Sequence, residues 1–266
     1  MRADKYFADK FDSRTKAAEA IEKGLVLVNG KTIKPKDEIR ENDVITFIEE
    51  KTQFVSNGGY KLARAIEVFG IDCKNKIFAD IGASTGGFTD CLLQNGAKKV
   101  YAVDVGESLL HASLVGNEKI VPMENTNARY LEKQAFSDEL DGVVTDVSFI
   151  SLRHIFPTIK RILKSNGEAV VLIKPQFECE KKNIGKSGIV HPSAHADIVE
   201  KVLGYAVENG LFPQEITNAP LRKGKNIEYV LLLKTHYEKT KSVRQIVDAV
   251  KHFVTRNTLE RKTNNG

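Results

Sequence analysis

The sequence predicts an α/β protein whose main domain is a doubly wound, mostly parallel sheet, with a small α+β module in front of it. Strand-like apolar runs alternate with helix-like segments from residue 77 onward, which is the pattern of a parallel sheet. A glycine-rich turn joins the first of these strands to the helix that follows it. Residues 1–50 show a different order, two helical patterns and then a hairpin signal, so we expect them to fold separately.

The chain has 266 residues, which is enough for one large domain and one small one. We predict the small domain over residues 1–50, a linker over 51–59 and the large domain over 60–266. In the small domain Ser13 can cap the second helix, and Asn29-Gly30 suits a tight hairpin turn. The elements predicted there are helices at 3–11 and 14–23 and strands at 25–28, 31–33 and 43–48.

The large domain begins with a predicted helix at about 60–69, which Ser56 or Asn57 can cap. Its later elements follow from apolar runs of strand length and from apolar residues spaced three or four apart. The first predicted strand starts at Ile77, and later strands cover 99–103, 119–123, 141–146, 168–173, 211–217 and 227–234. The predicted helices cover 86–93, 151–163, 193–209 and 242–256.

The stretch from Ile77 to Phe88 indicates a strand, a tight turn and the start of a helix. The turn lacks the Gly-Lys-Ser/Thr of a phosphate-binding loop and the glycine spacing of dinucleotide binders. Asp104 closes the next strand, where an acid can accept hydrogen bonds from a ribose diol. These features fit an adenosyl ligand without phosphate, and S-adenosylmethionine is the candidate; a purely structural turn is the alternative. The predicted cofactor-binding residues are Asp80, Gly82, Ala83, Ser84, Thr85, Gly86, Gly87, Phe88 and Asp104.

Composition excludes several classes of protein. No apolar run approaches the ~20 residues of a membrane span, and the charged N-terminus lacks the apolar core of a signal peptide. The three cysteines have neither disulfide nor metal-ligand spacing. We therefore predict reduced thiols, no metal site and a cytoplasmic location.

Basic residues concentrate late in the chain, where 15 Lys and Arg stand against 8 Asp and Glu after residue 180. Two clusters fall in loops that follow predicted strands, where they could form a basic rim for a polyanion such as RNA. Ordinary solvated side chains are the alternative for each cluster. The clusters comprise Lys181, Lys182 and Lys186, and then Arg222, Lys223 and Lys225.

Ordered motifs along nearly the whole chain resemble those of the TlyA (haemolysin A) family of ribosomal RNA 2′-O-methyltransferases. Besides the glycine-rich turn they include Gly58-Gly59-Tyr60-Lys61-Leu62, Tyr101-Ala102-Val103-Asp104, Asp146-Val147-Ser148-Phe149 and Ile173-Lys174-Pro175-Gln176-Phe177-Glu178. The resemblance implies a Rossmann-like, FtsJ-like methyltransferase domain that uses S-adenosylmethionine.

Residues 1–50 resemble the αL RNA-binding domain of a small-subunit ribosomal protein. In that family the two helices carry the basic RNA face, which here implies Lys5, Lys10, Arg14, Lys16 and Lys23. Residues 1–60 hold 11 basic and 11 acidic residues, so only a segregated face could bind phosphate. A protein-interaction module is the competing interpretation.

The FtsJ-type site is a Lys-Asp-Lys-Glu tetrad, which the resemblance assigns to Lys61, Asp146, Lys174 and Glu228. Asp146 and Lys174 each close an apolar strand, and such strand ends line the ligand crevice of a parallel sheet. Lys61 lies in the first turn of a helix, where a cation is electrostatically unfavourable. The chain departs from the family pattern at Asn57, where arginine is usual, and over residues 108–117.

A ribose hydroxyl must lose its proton as it attacks a sulfonium methyl group. A neutral Lys174 could take that proton, with Asp146 orienting the lysine and Glu228 orienting Lys61 or the hydroxyl. Alternatively, both lysines stay charged and catalysis is mostly alignment. Phe177 could stack on a flipped base or belong to the core.

We therefore expect an S-adenosylmethionine-dependent rRNA (cytidine-2′-O)-methyltransferase acting on rRNA or a ribosomal subunit, without a membrane partner. Family members that also modify the small subunit tend to have a longer N-terminus, so large-subunit rRNA is the expected target. The alternatives are a membrane-active haemolysin and an RNA-binding protein with an inactive methyltransferase fold. The sequence leaves open the nucleotide, the assembly state of the substrate and the oligomeric state.

Overall fold

The structure, a computed structural model, describes residues 1–11, 13–48, 52–238 and 241–263, with side chains described up to residue 258. Residue 51 of the predicted linker and the final residues 264–266 of the predicted large domain lie outside the described residues. The chain divides into two units, Met1–Gln53 and Phe54–Gly266, and each has its own hydrophobic core.

The N-terminal unit packs two helices on a three-stranded antiparallel sheet ordered β2-β1-β3. The elements are α1 (Ala3–Tyr6), α2 (Arg14–Glu22), β1 (Val26–Val28), β2 (Lys31–Thr32) and β3 (Ile45–Phe47). The Ser13 hydroxyl accepts a hydrogen bond from the Lys16 N–H at 3.2 Å, so the predicted cap is confirmed. Helix α1 is shorter than predicted, because residues 7–11 form turns in which Phe7 is buried against the core.

The large unit contains a seven-stranded sheet with the order β6-β5-β4-β7-β8-β10-β9. Its strands are β4 (Ile77–Ile81), β5 (Lys99–Val103), β6 (Ile120–Met123), β7 (Leu140–Thr145), β8 (Leu163–Ile173), β9 (Phe212–Asn218) and β10 (Tyr229–Lys234). The first five pair in parallel, whereas β10 is antiparallel to both of its neighbours. The prediction of a mostly parallel sheet is therefore confirmed.

Helices cover both faces of this sheet. They are α3 (Asn57–Phe69), α4 (Gly87–Gln94), α5 (Phe156–Ile162), α6 (Pro175–Glu178), α7 (His195–Glu208) and α8 (Val243–Thr263). Ala79 and Ile81 of β4 belong to one core together with residues of α5, α7 and α8, while Phe78 belongs to a second core with residues of α3 and α4. This alternation along a strand is what a doubly wound sheet requires.

Several predicted element boundaries differ from the structure. The helix predicted over 151–163 is a 3₁₀ turn at Leu152–His154 followed by α5, because Pro157 starts a helix readily but disrupts a helix interior. Strand β8 begins at Leu163 and not at Glu168, since its pairing with β7 continues across an irregularity near Leu140. Helix α3 starts at Asn57, where the Ser56 hydroxyl accepts the Gly58 N–H at 3.3 Å.

Candidate active site

The glycine-rich turn after β4 brings main chain, with few side chains, to the carboxyl edge of the sheet. Gly82 and Gly86 have φ angles of 79° and 87°, which residues with a Cβ rarely adopt. A Cβ on Gly87 would lie 2.2 Å from the Ser56 Oγ, so this position is also closed to a side chain. The turn therefore leaves space for a ligand against the backbone at the start of α4.

Asp104, just after β5, holds the turn in place and lines a cavity beside it. Its Oδ2 accepts the Ser84 N–H at 2.8 Å, and its Oδ1 accepts the Gly106 N–H at 2.9 Å. The cavity has a volume of about 310 Å³, within the range of small-molecule sites. Because a carboxylate oxygen has more than one lone pair, Asp104 can still accept from a ribose diol.

The same cavity contains polar groups that the sequence did not single out. Val103, Val147 and Ile150 provide apolar walls, whereas Asn127 and Ser148 provide polar atoms. The Asn127 side chain already accepts the Arg129 N–H at 3.1 Å, so its orientation is fixed. Its place in the loop after β6 was the available signal, but asparagine is common in loops for purely structural reasons.

Asp80, at the inner end of the turn, is a fully buried carboxylate in an adjoining cavity of about 180 Å³. Its Oδ2 accepts the Thr89 N–H at 2.9 Å and the Thr89 hydroxyl at 2.7 Å. Its Oδ1 has no partner among the described residues. Burial raises the pKa of Asp80 to about 7, although the Thr89 hydrogen bonds oppose the increase.

The remaining predicted cofactor residues fall into two groups. Ala83, Ser84, Thr85 and Phe88 line the cavity that contains Asp80. Gly86 shapes the turn, since a Cβ there would lie 2.4 Å from the Leu114 side chain. An unpaired buried acceptor beside a backbone cradle suits a ligand with a donor or cationic group, as S-adenosylmethionine has in its amino group.

The structure brings Glu228, Lys61, Asp146 and Lys174 into one chain of alternating charges. The Lys61 Nζ lies 2.8 Å from the Glu228 carboxylate and 3.1 Å from the Asp146 Oδ2. The Lys174 Nζ lies 2.7 Å from the other Asp146 oxygen. Asp146 thus pairs with two lysines from different elements: Lys61 of α3, and Lys174, which directly follows β8.

The charges of this chain support one another. Burial by itself would lower the pKa of Lys61, but the nearby Asp146 and Glu228 carboxylates outweigh burial and raise it. Lys61 is therefore a protonated lysine at neutral pH. Because α3 starts at Asn57 and not at residue 60, Lys61 is its fifth residue and lies beyond the first turn, where a lysine was predicted to be unfavourable.

Lys174 is a buried lysine that lines the cavity containing Asp80. Besides Asp146 Oδ1, its Nζ has the Ser148 Oγ at 2.7 Å and the Asp146 main-chain oxygen at 3.3 Å. The Ser148 and main-chain oxygens accept hydrogen bonds from the Nζ, whereas the contact with Asp146 Oδ1 is an ion pair. Lys174 and Asp146 both line the cavity that contains Asp80, and Asp146 also lines the cavity that contains Asp104.

Two phenylalanines form an aromatic pair beside Lys174. The ring centroids of Phe149 and Phe177 are 4.9 Å apart, and the Lys174 Nζ is 5.9 Å from the Phe177 centroid. Phe149 is 90% exposed and has a φ of 63°, an unusual combination for a large apolar residue. Glu178 stabilises the loop that contains Phe149 by accepting the Leu152 N–H at 2.7 Å. Sequence reasoning selected Phe177 and missed Phe149.

The two predicted basic clusters lie on loops of the large unit. One cluster is on the segment between α6 and α7 and the other on the connection between β9 and β10. All of their predicted residues are exposed: Lys181, Lys182, Lys186, Arg222, Lys223 and Lys225.

In the N-terminal unit the predicted basic residues Lys5, Lys10, Arg14, Lys16 and Lys23 are all exposed. Arg14 donates to the buried Asp4 at 3.0 Å, and Arg2 contacts the same carboxylate at 2.8 Å. These hydrogen bonds hold the pKa of Asp4 below its usual range, with Arg2 making the larger contribution. Arg2 was missed, because two arginines sharing one acid cannot be recognised without the fold.

Comparison with known proteins agrees with both units. Residues 54–235 match the FtsJ-like methyltransferase family, and residues 1–45 match the S4 domain. The chain is 38% identical over 242 residues to the 16S/23S rRNA (cytidine-2′-O)-methyltransferase TlyA of Mycobacterium tuberculosis, covering 90% of each chain. It is 35% identical over 263 residues to the 23S rRNA (cytidine-2′-O)-methyltransferase TlyA of Campylobacter jejuni, covering 86% of this chain and 97% of the relative.

A solved structure described as a hemolysin from Streptococcus thermophilus superposes with a TM-score of 0.75. It is 37% identical, and the match covers 98% of each chain. Sequence, domain order and structure agree along the length of the protein. The chain therefore belongs to the TlyA (haemolysin A) family, with an S4 domain followed by an FtsJ-like methyltransferase domain.

Proposed function

We propose that this protein transfers a methyl group from S-adenosylmethionine to the ribose 2′-hydroxyl of a cytidine in large-subunit rRNA. One observation carries the proposal: the chain Glu228–Lys61–Asp146–Lys174 lies at the cavities formed by the glycine-rich turn. A nucleophile and a methyl donor must meet within a few ångströms for transfer. A charged tetrad at the edge of a cofactor-sized cavity supports such a meeting.

The residues of the two cavities fit the parts of S-adenosylmethionine. Asp104 would accept from the ribose diol, and the unpaired Oδ1 of Asp80 would accept from the amino group. When bound, this cofactor supplies a methyl group activated by a positive sulfur. Asp146 lines both cavities and would stand where the reacting atoms meet.

We infer that the lysines act mainly by charge and alignment. Lys61 is held protonated by two carboxylates, and the Lys174 Nζ pairs with the Asp146 carboxylate and donates to the Ser148 Oγ. An ammonium in this position would orient the ribose oxygen and stabilise the negative charge that develops as this oxygen attacks the methyl group and its proton passes to solvent. Asp146 would keep both lysines in register, and Glu228 would hold Lys61.

RNA is proposed to bind through aromatic and basic groups outside the tetrad. The exposed Phe149, backed by Phe177, offers a stacking surface for an unpaired base next to Lys174. The exposed basic loops suit backbone phosphates. In the N-terminal unit, Arg2 and Arg14 are fixed on Asp4 with their remaining donors exposed, and this supports a role in docking on RNA.

The proposed target follows from the named relatives. Both TlyA proteins compared above carry 23S rRNA (cytidine-2′-O)-methyltransferase in their names, and one of them also carries 16S. The shared element supports a cytidine of large-subunit rRNA. An rRNA substrate would put the activity in the cytoplasm.

The test is transfer of radiolabelled methyl from S-adenosylmethionine to purified ribosomal subunits and to naked rRNA, followed by mass mapping of both rRNAs. We expect label at a cytidine of the large-subunit rRNA with wild type and none with Lys174→Met. Label at a small-subunit nucleotide would contradict the restriction to the large subunit. Tight S-adenosylmethionine binding without label on any rRNA would contradict the proposed substrate.

The haemolysin and inactive-fold alternatives have less support. Across the parts of the chain that the structure describes, no helix is sufficiently long and apolar to span a bilayer. All four tetrad residues are present and in contact, which an inactive fold does not need. Liposome leakage that depends on residues 242–256 would favour the first alternative, and RNA binding without any methyl transfer would favour the second.

A further inference from the structure

Two basic loops of the large unit border the start of β10. The first basic loop covers residues 181–191, and the second basic loop covers residues 219–228. Each carries exposed lysine or arginine side chains, whose like charges repel one another. A direct connection between the two backbones is therefore needed to hold the loops side by side. The structure contains such a connection at Asn226.

The first basic loop is a tight hairpin with a firm base. Ile184 and Val190 pair in an antiparallel bridge, and the Gly185 N–H donates to the Ile189 carbonyl at 2.8 Å. Gly188 completes the turn with a φ of 77°. Lys186 therefore projects from a hairpin whose geometry depends on its base.

The Asn226 side chain joins this hairpin to the second basic loop. Its Oδ1 accepts the Val190 N–H at 2.8 Å, and its Nδ2 donates to the Gly188 carbonyl at 3.0 Å. One primary amide thus supplies the donor and the acceptor that a neighbouring strand would supply. An amide is also uncharged, so it adds no repulsion among the lysines.

Val190 is anchored from a second direction. Its side chain is 1% exposed, and its main chain interacts electrostatically with the buried ring of His195. The His195 Nδ1 lies 2.8 Å from the Tyr229 hydroxyl, at the start of β10. The base of the hairpin is therefore connected to the chain on both sides of Glu228. On one side the connection is Asn226, two residues before Glu228. On the other side it is His195, which contacts Tyr229.

Glu228 lies between these two attachment points and belongs to the tetrad. Its main-chain oxygen accepts the Ala219 N–H at 2.9 Å, and its carboxylate meets Lys61 at 2.8 Å. A shift of Asn226 would therefore be transmitted over two residues to Glu228, whose carboxylate holds Lys61.

We propose that the Asn226 amide joins the two basic loops into a single clamp for RNA backbone phosphates and sets the position of Glu228. Asn226 is a positioning residue, since it acts through the loops and Glu228 without touching the reacting atoms. The inference rests on the proposed function for its substrate, but the connection between the loops can be measured without any substrate.

The first experiment compares hydrogen exchange of the 184–191 peptide in the wild type and in Asn226→Ala. Loss of both hydrogen bonds should speed exchange in that peptide by about tenfold. Asn226→Asp keeps the acceptor for Val190 but loses the donor to Gly188, so it should give an intermediate rate. Asn209→Ala is the control, because Asn209 is also half-buried and donates to a backbone carbonyl, that of Tyr205 at 2.8 Å.

The second experiment measures methyl transfer by the same variants on ribosomal subunits. For Asn226→Ala we expect a KM for the subunit raised about fivefold and a kcat lowered about tenfold, with unchanged S-adenosylmethionine affinity. Loss of a residue that only stabilises the fold would weaken S-adenosylmethionine binding together with the kinetics on subunits. Asn209→Ala should match the wild type.

Unchanged exchange of the 184–191 peptide in Asn226→Ala would overturn the proposal, and so would unchanged kinetics on subunits. Equal losses of RNA and S-adenosylmethionine binding would also overturn it, because they would indicate general unfolding. If the wild type methylates no rRNA, the proposed function fails, whereas the exchange experiment still decides whether Asn226 joins the loops.

Discussion

Lysine–carboxylate pairs occur at both edges of the large sheet, but at the carboxyl edge two lysines and two carboxylates form one chain. Three pairs near the amino edge share no partner with one another: Lys76 with Glu168, Lys99 with Asp138, and Lys164 with Asp141. At the carboxyl edge Asp146 serves two lysines and Lys61 serves two carboxylates. The lysine side chains there are 10% and 14% exposed, against 28% to 36% at the amino edge.

This is the difference that we expect between a reactive cluster and a structural one. Exposed ion pairs contribute only about 0–1 kcal/mol to stability and occur on most protein surfaces, so a pair alone says little about function. A carboxylate shared between two largely buried lysines costs more desolvation free energy than an exposed pair, so stability alone does not account for it. The adjoining cavity, which contains the unpaired Oδ1 of Asp80, indicates a role in binding a ligand.

The largest effect should come from removing a lysine charge at the carboxyl edge, and the same change at the amino edge is the matched control. We expect Lys174→Met to lower single-turnover methyl transfer by about 10³-fold, because it removes the group that would stabilise the developing oxygen charge. Lys164→Met, at the amino edge, should stay within about twofold of the wild type. Retention of more than a tenth of the wild-type rate by Lys174→Met would contradict the assignment.

Lys174→Arg separates charge from base catalysis at the same position. Arginine keeps the positive charge but cannot give up its proton near neutral pH. If alignment dominates, this variant should be about tenfold faster than Lys174→Met in the same assay. Equal rates for the two variants would favour Lys174 as the general base.

A smaller effect is expected from exposed aromatic residues at the two edges. Phe149→Ala should lower kcat/KM for rRNA by about 30-fold, since stacking of one base contributes about 1–3 kcal/mol. Tyr237→Ala, which removes a similarly exposed ring after β10, should have no effect on transfer. Isothermal titration should give the same S-adenosylmethionine affinity for both variants, and a loss confined to that affinity would argue against base stacking.

Cofactor binding should depend on pH through Asp80. Because burial raises the pKa of Asp80 to about 7, its carboxylate is mostly ionised at pH 8 and mostly protonated at pH 6. S-adenosylmethionine affinity should therefore fall by about tenfold from pH 8 to pH 6, as the partner for its amino group is neutralised. In Asp80→Asn this dependence should disappear; an unchanged tenfold dependence would exclude Asp80 as its source.

The same group affects the ligand-free protein in a defined direction. Its folded-state pKa exceeds the unfolded value, so its contribution to stability is present at low pH and is lost as pH rises to about 7. Asp80→Asn should consequently raise the Tm at pH 8 and change it much less at pH 4.

The smallest effect is expected at the amino edge. Hydrogen bonds from Lys99 and then Tyr101 lower the pKa of Asp138 to about 2, so its contribution to stability is present at neutral pH and lost as pH falls through about 2. Asp138→Asn should lower the Tm slightly at pH 7 without changing methyl transfer. Thermal melts at pH 7 and pH 2 test this, and a larger Tm difference at pH 2 would contradict it.

The sequence predicted the sheet and most of its strand ends because burial and periodicity are local signals. Asp80, Asp104 and Lys174 could be selected since each follows an apolar run that ends abruptly. The helix expected over 151–163 failed where Pro157 has two opposite local meanings, a helix breaker and a helix starter.

Residues whose setting depends on distant parts of the chain could not be placed by local pattern. The Lys61–Asp146 contact joins residues 85 positions apart, and only the family resemblance brought them together beforehand. The positive φ of Phe149 has no sequence signature, because a phenylalanine in the left-handed region depends on its surroundings. The same holds for Asn226, whose two partners lie on another loop.

The net charge of the tetrad affects which part of a nucleotide can approach it. Two lysines and two carboxylates in contact sum to zero charge. A phosphate group gains no net attraction from a neutral centre, whereas the exposed lysines and arginines around it do attract phosphate. If RNA binds here as proposed, its anionic backbone would stay at the periphery, and its uncharged ribose could approach the tetrad without electrostatic penalty.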